Sequence, residues 1–189
     1  GRDSASIPVL CVFDSEEVGS VSPQGAGSSL LEDTLGRICD GLKLNRGRML
    51  AQSFLVSADN AHAIHPNHPE YADPGNAPVM GGGLVIKYNA NLSYCTDSVS
   101  AAIFRKICGR AGVKVQTYHN RADLPGGSTL GRISLAHVSV PTVDIGLAQL
   151  AMHSCYETAA VSDAIDLETA MTAYYGSTLE ATESGFSIL

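Results

Sequence analysis

Five short apolar runs, each bounded by polar or turn-forming residues, predict β-strands along the chain. They cover residues 7–13, 53–58, 84–88, 113–118 and 140–145. Pro141 is compatible with the last run because proline is tolerated among the first residues of a strand. The first run leads to two adjacent glutamates, Glu16 and Glu17, and Gly19 permits a bend after them. Both carboxylates can serve one site only if the chain bends where that run ends.

Four segments between and after these runs have the periodicity of helices. The first opens with a capping-box spacing, Ser29 followed by Glu32, and its apolar residues recur at intervals of four, three and four. Its predicted buried face consists of Leu31, Leu35, Ile38 and Leu42. The other helices are predicted from Thr96 or Asp97 to Gly112, from Ser128 or Thr129 towards His137, and over 158–175, with a frayed tail after Gly176.

The alternation of strands and helices predicts an α/β fold with a sheet covered on both faces. Ligands of such folds bind beyond the carboxyl ends of the strands, where Glu16, Glu17 and Asp59 would lie. The loop at 60–83 is long and contains several Pro, Gly, Asn and His residues, which is typical of a functional loop. The chain has the length of one ordinary domain, and no repeat or low-complexity linker indicates a second.

Composition narrows the class of protein. The formal net charge is -7, and the lysines and arginines are scattered, so we expect no nucleic-acid partner. No apolar run approaches the roughly 20 residues that span a bilayer, so we expect a soluble protein without a membrane partner. The five cysteines show no C-x-x-C spacing and favour a reducing, cytoplasmic location. Because Gly1 is not a natural start, we expect further sequence upstream.

Three segments end in side chains that suit a divalent metal. They are Glu16 with Glu17, Asp59 with His62, His65 and His68, and the single residue His153. Oxygen and imidazole ligands without cysteine favour a hydrolytic zinc or manganese centre over a structural zinc. Solvated glutamates, a solvated histidine loop and a hydrogen-bonded histidine would explain the same residues, because spacing alone does not show convergence.

Five motifs occur in a fixed order along the chain. They are F-D-S-E-E-V-G-S, S-A-D-N-A-H-A-I-H-P-N-H, G-G-L-V-I-K-Y-N, L-P-G-G-S-T-L-G and L-A-M-H-S. Together they resemble the signature segments of the aspartyl aminopeptidase family of dinuclear zinc peptidases, over a region from Val9 to about Gly176. The resemblance implies the carboxyl-terminal part of a metalloaminopeptidase catalytic domain. It also implies a three-layer αβα fold with a mixed sheet, incomplete on its amino-terminal side.

The resemblance implies a role for each matching residue in peptide hydrolysis. Glu16 would be the general base, Glu17 and His153 would bind one zinc ion, and Asp59 would bind the second. The family preference for peptides with an acidic amino-terminal residue requires a cationic or donor-rich pocket. By position, Lys87 is the candidate for that pocket, with His62 and Tyr94 as secondary candidates, and the loop that contains Gly126 and Gly127 could offer backbone N–H groups to the substrate. A surface lysine and a plain turn are the structural alternatives.

The chain also departs from the family pattern. No segment matches the upstream histidine that binds one metal, the upstream aspartate that bridges both, or the inserted domain through which family members pair. We therefore expect the isolated chain to bind metal weakly and to be nearly inactive, and the complete protein to form a homo-oligomer. Cobalt or manganese could replace zinc. A related aminopeptidase with neutral or glutamyl preference and a non-catalytic assembly fragment remain alternatives.

Overall fold

The computed structural model describes residues 6–183 and 185–189. Gly1, on which the expectation of upstream sequence depends, lies outside the described residues. The main sheet has four strands in the order β1-β5-β3-β4, namely Leu55–Ala58, Thr142–Gly146, Leu84–Tyr88 and Val115–His119. β1 runs parallel to β5 and β3 parallel to β4, whereas β3 and β5 are antiparallel. The sheet is therefore mixed, as the resemblance implied.

Helices cover both faces of this sheet. On one face, α3 (Ser98–Ala111) and α5 (Val161–Gly176) bury an apolar core that includes Ile86, Phe104 and Ile145. On the other face lies α4 (Leu130–Leu135), whose Gly131 lies against the side chains of Ser57 and Asp144. α1 (Leu30–Gly41) and α2 (Arg46–Ala51) pack beside it through a separate apolar cluster. The predicted three-layer αβα architecture is confirmed.

A second, smaller sheet carries two segments of the candidate site. β2 (Ala61–His62) pairs in parallel with β6 (Ala148–Leu150), and β6 pairs in antiparallel fashion with β7 (Thr158–Ala159). β2 begins shortly after β1 ends, and β6 begins shortly after β5 ends. The small sheet therefore continues the β1–β5 pair and holds the start of the 60–83 loop and the segment before His153 side by side.

Four local predictions were wrong, one of them the burial of Leu42, which follows α1 and is 56% exposed. Residues 7–13 form no strand, because no described strand pairs with them. Leu10 and Val12 stay exposed, while Cys11 and Phe13 pack against the apolar cluster that joins α1 and α2. The side chain of Ser29 precedes α1 but makes no cap, since its hydroxyl donates to Asp33 Oδ2 at 2.7 Å. The tail after Gly176 is not frayed: β8 (Leu179–Thr182) and β9 (Gly185–Ile188) form an antiparallel hairpin.

The other helices follow their predicted signals closely. α3 begins after Asp97, which forms a capping box with Ser100, and ends at Gly112 in the left-handed conformation, with φ at 74°. Asn45 caps the short α2, which the apolar pattern did not indicate. Among the described residues, no helix has the length and apolar character needed to cross a bilayer.

Candidate active site

The adjacent glutamates lie in a tight 3-10 turn, Glu16–Val18, at which the chain bends. The residues on either side, Ser15 and Gly19, have positive φ angles of 62° and 100°. The N–H of Gly19 donates to the carbonyl of Glu16 at 3.0 Å, and that of Ser20 donates to the carbonyl of Ser15 at 2.8 Å. The bend that both carboxylates require is therefore fixed by backbone hydrogen bonds.

The following loop holds this turn in place. Ser20 is fully buried, and its carbonyl accepts the N–H of Gly27 at 3.0 Å. A β-carbon on Gly25 would lie 2.3 Å from the same carbonyl oxygen, so only glycine allows this approach. The N–H of Asp14 donates to the carbonyl of Gln24 at 3.0 Å and closes the loop. The glutamate turn is thus packed against its own continuation rather than projecting freely.

Glu17 and His153 meet although they lie near opposite ends of the chain. The Oε2 atom of Glu17 lies 2.7 Å from Nε2 of His153, and both side chains are 68% exposed. His153 has a positive φ of 66°, and its backbone N–H donates to Glu157 Oε1 at 2.6 Å. The turn after β6 therefore presents the imidazole to the glutamate turn, and the two side chains offer one oxygen and one nitrogen ligand at the surface.

Asp59 follows β1 directly, at the edge of the sheet where β1 and β5 end. Its N–H donates to the carbonyl of Ile145 at 3.0 Å, and its Oδ1 accepts the N–H of Asn60 at 2.7 Å. The second oxygen, Oδ2, lies 3.7 Å from Nζ of Lys87, and 31% of the side chain is exposed. One carboxylate oxygen is therefore held by the backbone while the other faces a buried cation.

The charges around Glu16 connect these parts of the site. Partial burial raises the pKa of Glu16, and the negative charges of Asp59 and Glu17 raise it further. The positive charges of Lys87 and His153 act in the opposite direction. The charges of all the predicted metal ligands, and that of Lys87, therefore act on the Glu16 carboxylate. A carboxylate whose proton affinity is raised in this way suits proton transfer.

Lys87 is buried rather than on the surface, with only 1% of the residue exposed. Its ammonium donates to the carbonyl of Asn60 at 3.0 Å and lies 5.1 Å from the centre of the Tyr94 ring. Burial lowers the pKa of Lys87, and the carboxylates of Asp59, Asp144 and Glu16 partly offset this effect. Burial also raises the pKa of Tyr94, which leaves its hydroxyl neutral at physiological pH.

The remaining predicted site residues differ in how they are placed relative to Lys87 and Asp59. His62, in β2, has its ring centre 6.5 Å from that of Tyr118, and burial together with the charges of His153 and Lys87 lowers its pKa. Gly126 and Gly127 are exposed in the loop before α4, and no described contact joins them to Lys87. His65 and His68 lie with their rings 5.3 Å apart in an exposed cluster that has no described contact with Asp59.

The donor chemistry fits zinc, but the ligand set is small. Carboxylate oxygen and imidazole nitrogen are both ordinary zinc ligands, and Glu17 and His153 bring one of each together. In the part of the chain that the structure describes, no group of three or more His, Cys, Asp and Glu side chains is arranged to hold a metal ion. The chain therefore carries a pair of ligands and a separate carboxylate, Asp59, rather than a closed metal site.

Two residues that shape the site were missed in the sequence. Gly146 ends β5, and a β-carbon there would lie 1.9 Å from the carbonyl oxygen of Asp59. Asp144 is fully buried within β5, between the apolar residues Val143 and Ile145. A single carboxylate inside an otherwise apolar strand is a signal that sequence reading could have used, since unpaired buried charges are costly. The need for glycine at position 146 had no such signal.

Comparison with known proteins shows the family of the chain. Residues 2–175 match the family of aminopeptidase I zinc metalloproteases, M18. A probable M18 family aminopeptidase 2 of Mycobacterium tuberculosis is 46% identical over 183 residues, which cover 94% of this chain and 42% of that protein. A probable aspartyl aminopeptidase of Ricinus communis is 45% identical over 166 residues, which cover 86% of this chain and 34% of that protein. The chain thus spans less than half the length of these relatives.

Solved structures show the same fold. The cryo-EM structure of the Ape4 and Nbr1 complex matches with a TM-score of 0.83 at 39% identity, over 86% of this chain and 31% of that chain. The mApe1 dodecamer of Saccharomyces cerevisiae matches with a TM-score of 0.73 at 27% identity, over 86% of this chain and 37% of that chain. With the match over residues 2–175, these findings identify the chain as a member of the M18 family of zinc metalloproteases.

Proposed function

We propose that this chain supplies the carboxyl-terminal part of the catalytic domain of a zinc aminopeptidase that releases acidic residues from the amino-terminus of peptides. The observation that carries the proposal is the meeting of Glu17 with His153, 2.7 Å apart, beside a Glu16 carboxylate that is electrostatically coupled to both Asp59 and His153. Family membership and the Ricinus communis relative, a probable aspartyl aminopeptidase, support the reaction class and its acidic preference.

Each side chain has one task in this proposal. Glu17 and His153 would hold one zinc ion, and Asp59 would hold a second, with upstream residues of the complete protein completing both sites. Bound zinc would supply an acidic water and would polarise the scissile carbonyl. Glu16 would accept a proton at its carboxylate and return it to the leaving amine, and its raised pKa suits both transfers. Cobalt or manganese would act through the same ligands.

The acidic preference would come from the buried cation. A substrate carboxylate removed from water needs a charged or hydrogen-bonding partner. The Lys87 ammonium would supply the charge; the Tyr94 ring lies 5.1 Å from it, and the ammonium charge reaches His62, whose pKa it lowers. The exposed backbone of Gly126 and Gly127 would donate N–H groups to the peptide. We also propose a homo-oligomeric complete protein, in keeping with the dodecamer of the related mApe1, and a cytoplasmic location.

The test is a comparison of rates on aspartyl, glutamyl and leucyl peptides with the complete protein loaded with zinc. We expect the aspartyl peptide to have the highest kcat/KM, and Glu16→Gln to lower kcat by roughly 10²–10⁴-fold, the usual contribution of a general base. Glu168→Gln, which changes an exposed carboxylate on α5, is the matched control for a lost charge. A preference for leucyl peptides would support a related aminopeptidase of neutral specificity.

A complete protein that stays inactive with zinc, cobalt and manganese would contradict the proposal and favour a non-catalytic role in assembly. The isolated 189-residue chain is expected to be nearly inactive in the same assay, because its described residues supply only part of the ligand set. Activity of the complete protein with inactivity of this chain would support the proposed division of the active site.

A further inference from the structure

The buried carboxylate of Asp144 joins the segment that follows Tyr94 to the loop that contains Gly126 and Gly127. Its Oδ2 accepts the N–H of Cys95 at 2.5 Å, and its Oδ1 accepts the hydroxyl of Thr129 at 2.7 Å. Asp144 is fully buried, and Thr129 is only 2% exposed. Cys95 directly follows Tyr94, and Thr129 is two residues beyond Gly127. One side chain therefore fixes the ends of two otherwise separate loops.

The backbone of Asp144 is bound to the same region. The pairing of β3 with β5 ends at Ile86 and Ile145, one residue before Lys87 and Asp144. There the hydroxyl of Thr96 accepts the N–H of Asp144 at 2.8 Å and lies 3.5 Å from its carbonyl oxygen. The Thr96 hydroxyl thus contacts the N–H and the carbonyl of Asp144, where the β3–β5 pairing has ended. Residues 95 and 96 are held to β5 by both the side chain and the backbone of Asp144.

Glycine at position 131 makes this arrangement possible. A β-carbon there would lie 2.7 Å from Oδ1 of Asp144 and 2.7 Å from the hydroxyl oxygen of Ser57. The first turn of α4 therefore approaches the sheet directly above the carboxylate. This close approach brings Thr129, the residue before α4, within hydrogen-bonding distance of Asp144.

We propose that Asp144 is a positioning residue for substrate specificity, which holds Tyr94 at a fixed position beside the Lys87 ammonium and ties the loop containing Gly126 and Gly127 to the same strand. The inference rests on the proposed function, because it assumes that Lys87 receives the acidic side chain of the substrate. The Tyr94 ring is 5.1 Å from the Lys87 ammonium, so a shift of the Tyr94–Thr96 segment changes the surroundings of that ammonium directly.

Asp144→Asn separates this role from a general role in stability. An asparagine has one acceptor oxygen, so it cannot accept both the Cys95 N–H and the Thr129 hydroxyl as the carboxylate does. In the complete zinc enzyme we expect KM for an aspartyl peptide to rise by about 10- to 100-fold, the scale of a small displacement of a binding group. We expect kcat on that peptide, and kcat/KM on a leucyl peptide, to change by less than about threefold.

Asp163→Asn is the matched control. Asp163 is also fully buried, and its carboxylate accepts the N–H groups of Gly81 at 2.8 Å and Gly83 at 3.2 Å, so it anchors a loop to α5. Its substitution should lower stability without changing the ratio of aspartyl to leucyl kcat/KM. An equal change of that ratio in both variants, or an equal loss on both peptides in Asp144→Asn, would overturn the inference.

Thr129→Val and Thr129→Ser provide a second pair if Asp144→Asn does not fold. Valine removes the hydroxyl donor at nearly constant volume, and serine retains it. We expect valine to raise KM for the aspartyl peptide and serine to restore it. An unchanged KM in Thr129→Val would count against the positioning role. Loss of aspartyl preference in the unmodified enzyme would instead refute the proposed function itself.

Alkylation of Cys95 gives a readout that does not depend on activity. Burial raises the pKa of the Cys95 thiol to about 12, and the charge and hydrogen bond of Asp144 contribute to that rise. Loss of the carboxylate charge should therefore accelerate modification of Cys95 by iodoacetamide at pH 8.5 in the complete protein, whereas Asp163→Asn should not. Equal rates in the Asp144→Asn and unmodified proteins would show that Asp144 does not hold this segment and would overturn the inference.

Discussion

The carbonyl oxygen of Asp59 lies 1.9 Å from the position that a β-carbon on Gly146 would occupy. The carbonyl carbons of Asp59 and Asn60 would each be 3.0 Å away, so all three contacts involve backbone atoms. The N–H of Asp59 is hydrogen-bonded to the carbonyl of Ile145 in β5. The backbone beside Gly146 therefore cannot move away without moving Asp59. The absence of a side chain at position 146 thus determines where a proposed metal ligand lies.

We expect Gly146→Ala to destabilise the 189-residue chain by about 1–3 kcal/mol, the usual range for overpacking a filled site. Gly36→Ala is the control, because Gly36 lies inside α1 with nothing within 4 Å of an added β-carbon. That substitution should stabilise the chain by about 0.5–1 kcal/mol, since alanine favours helix over glycine. Urea unfolding followed by circular dichroism measures both changes. Equal stability of the Gly146→Ala and unmodified chains would show that the Asp59 backbone moves freely.

The isolated chain should bind zinc weakly, through Glu17 and His153. Calorimetric titration of the 189-residue chain is expected to show one weak site. His153→Ala removes a direct ligand and should weaken that site by more than the roughly 10- to 100-fold typical for loss of an outer-shell partner. Glu16→Gln should leave the affinity nearly unchanged, because Glu16 is assigned to proton transfer. Two tight sites in the unmodified chain would contradict both the weak binding and the proposed division of ligands.

Local signals in the sequence were sufficient for several elements. α3 was predicted because Asp97 and Gly112 mark its ends and Phe104, Ile107 and Cys108 repeat at helical spacing. β3 was predicted because it is a short apolar run with turn residues on either side. These signals depend on neighbouring residues in the chain, which is why they were visible without the fold. The bend at the glutamates was expected for the same reason, from Gly19.

Contacts between distant segments were not predictable in this way. The run at 7–13 has the composition of a strand, but a strand also needs a hydrogen-bonding partner, and no described strand supplies one. The tail hairpin depends on such a partner too, because β8 and β9 stabilise each other, and the Phe186 ring lies 6.0 Å from that of Phe54. The meeting of Glu17 with His153 was expected only through the family resemblance, since spacing carries no information about it.

Lys87→Met should remove the acidic preference while preserving the fold. Lys87 is 1% exposed, and methionine fills a similar buried volume without a charge. We expect kcat/KM for an aspartyl peptide to fall by at least about 100-fold in the complete enzyme, because a buried substrate carboxylate would lack a cation. The rate on a leucyl peptide should be retained or increased. A proportional loss on both peptides would indicate that Lys87 serves Asp59 rather than the substrate.

The cysteines should differ sharply in reactivity. Cys155 is exposed, whereas burial raises the pKa of Cys95 to about 12 and that of Cys108 to about 11. Since the thiolate is the reactive form, a group with a pKa of about 12 is ionised to only about 1 part in 10⁴ at pH 8. Mass spectrometry after brief treatment with iodoacetamide at pH 8 should therefore find Cys155 labelled and Cys95 and Cys108 unlabelled. Raising the pH to 10 increases the thiolate fraction of Cys108 and Cys95, so labelling of these two residues should begin there. Cys155→Ser should leave both of them unlabelled at pH 8, and rapid labelling of Cys108 at pH 8 would mean that the core around α3 opens readily.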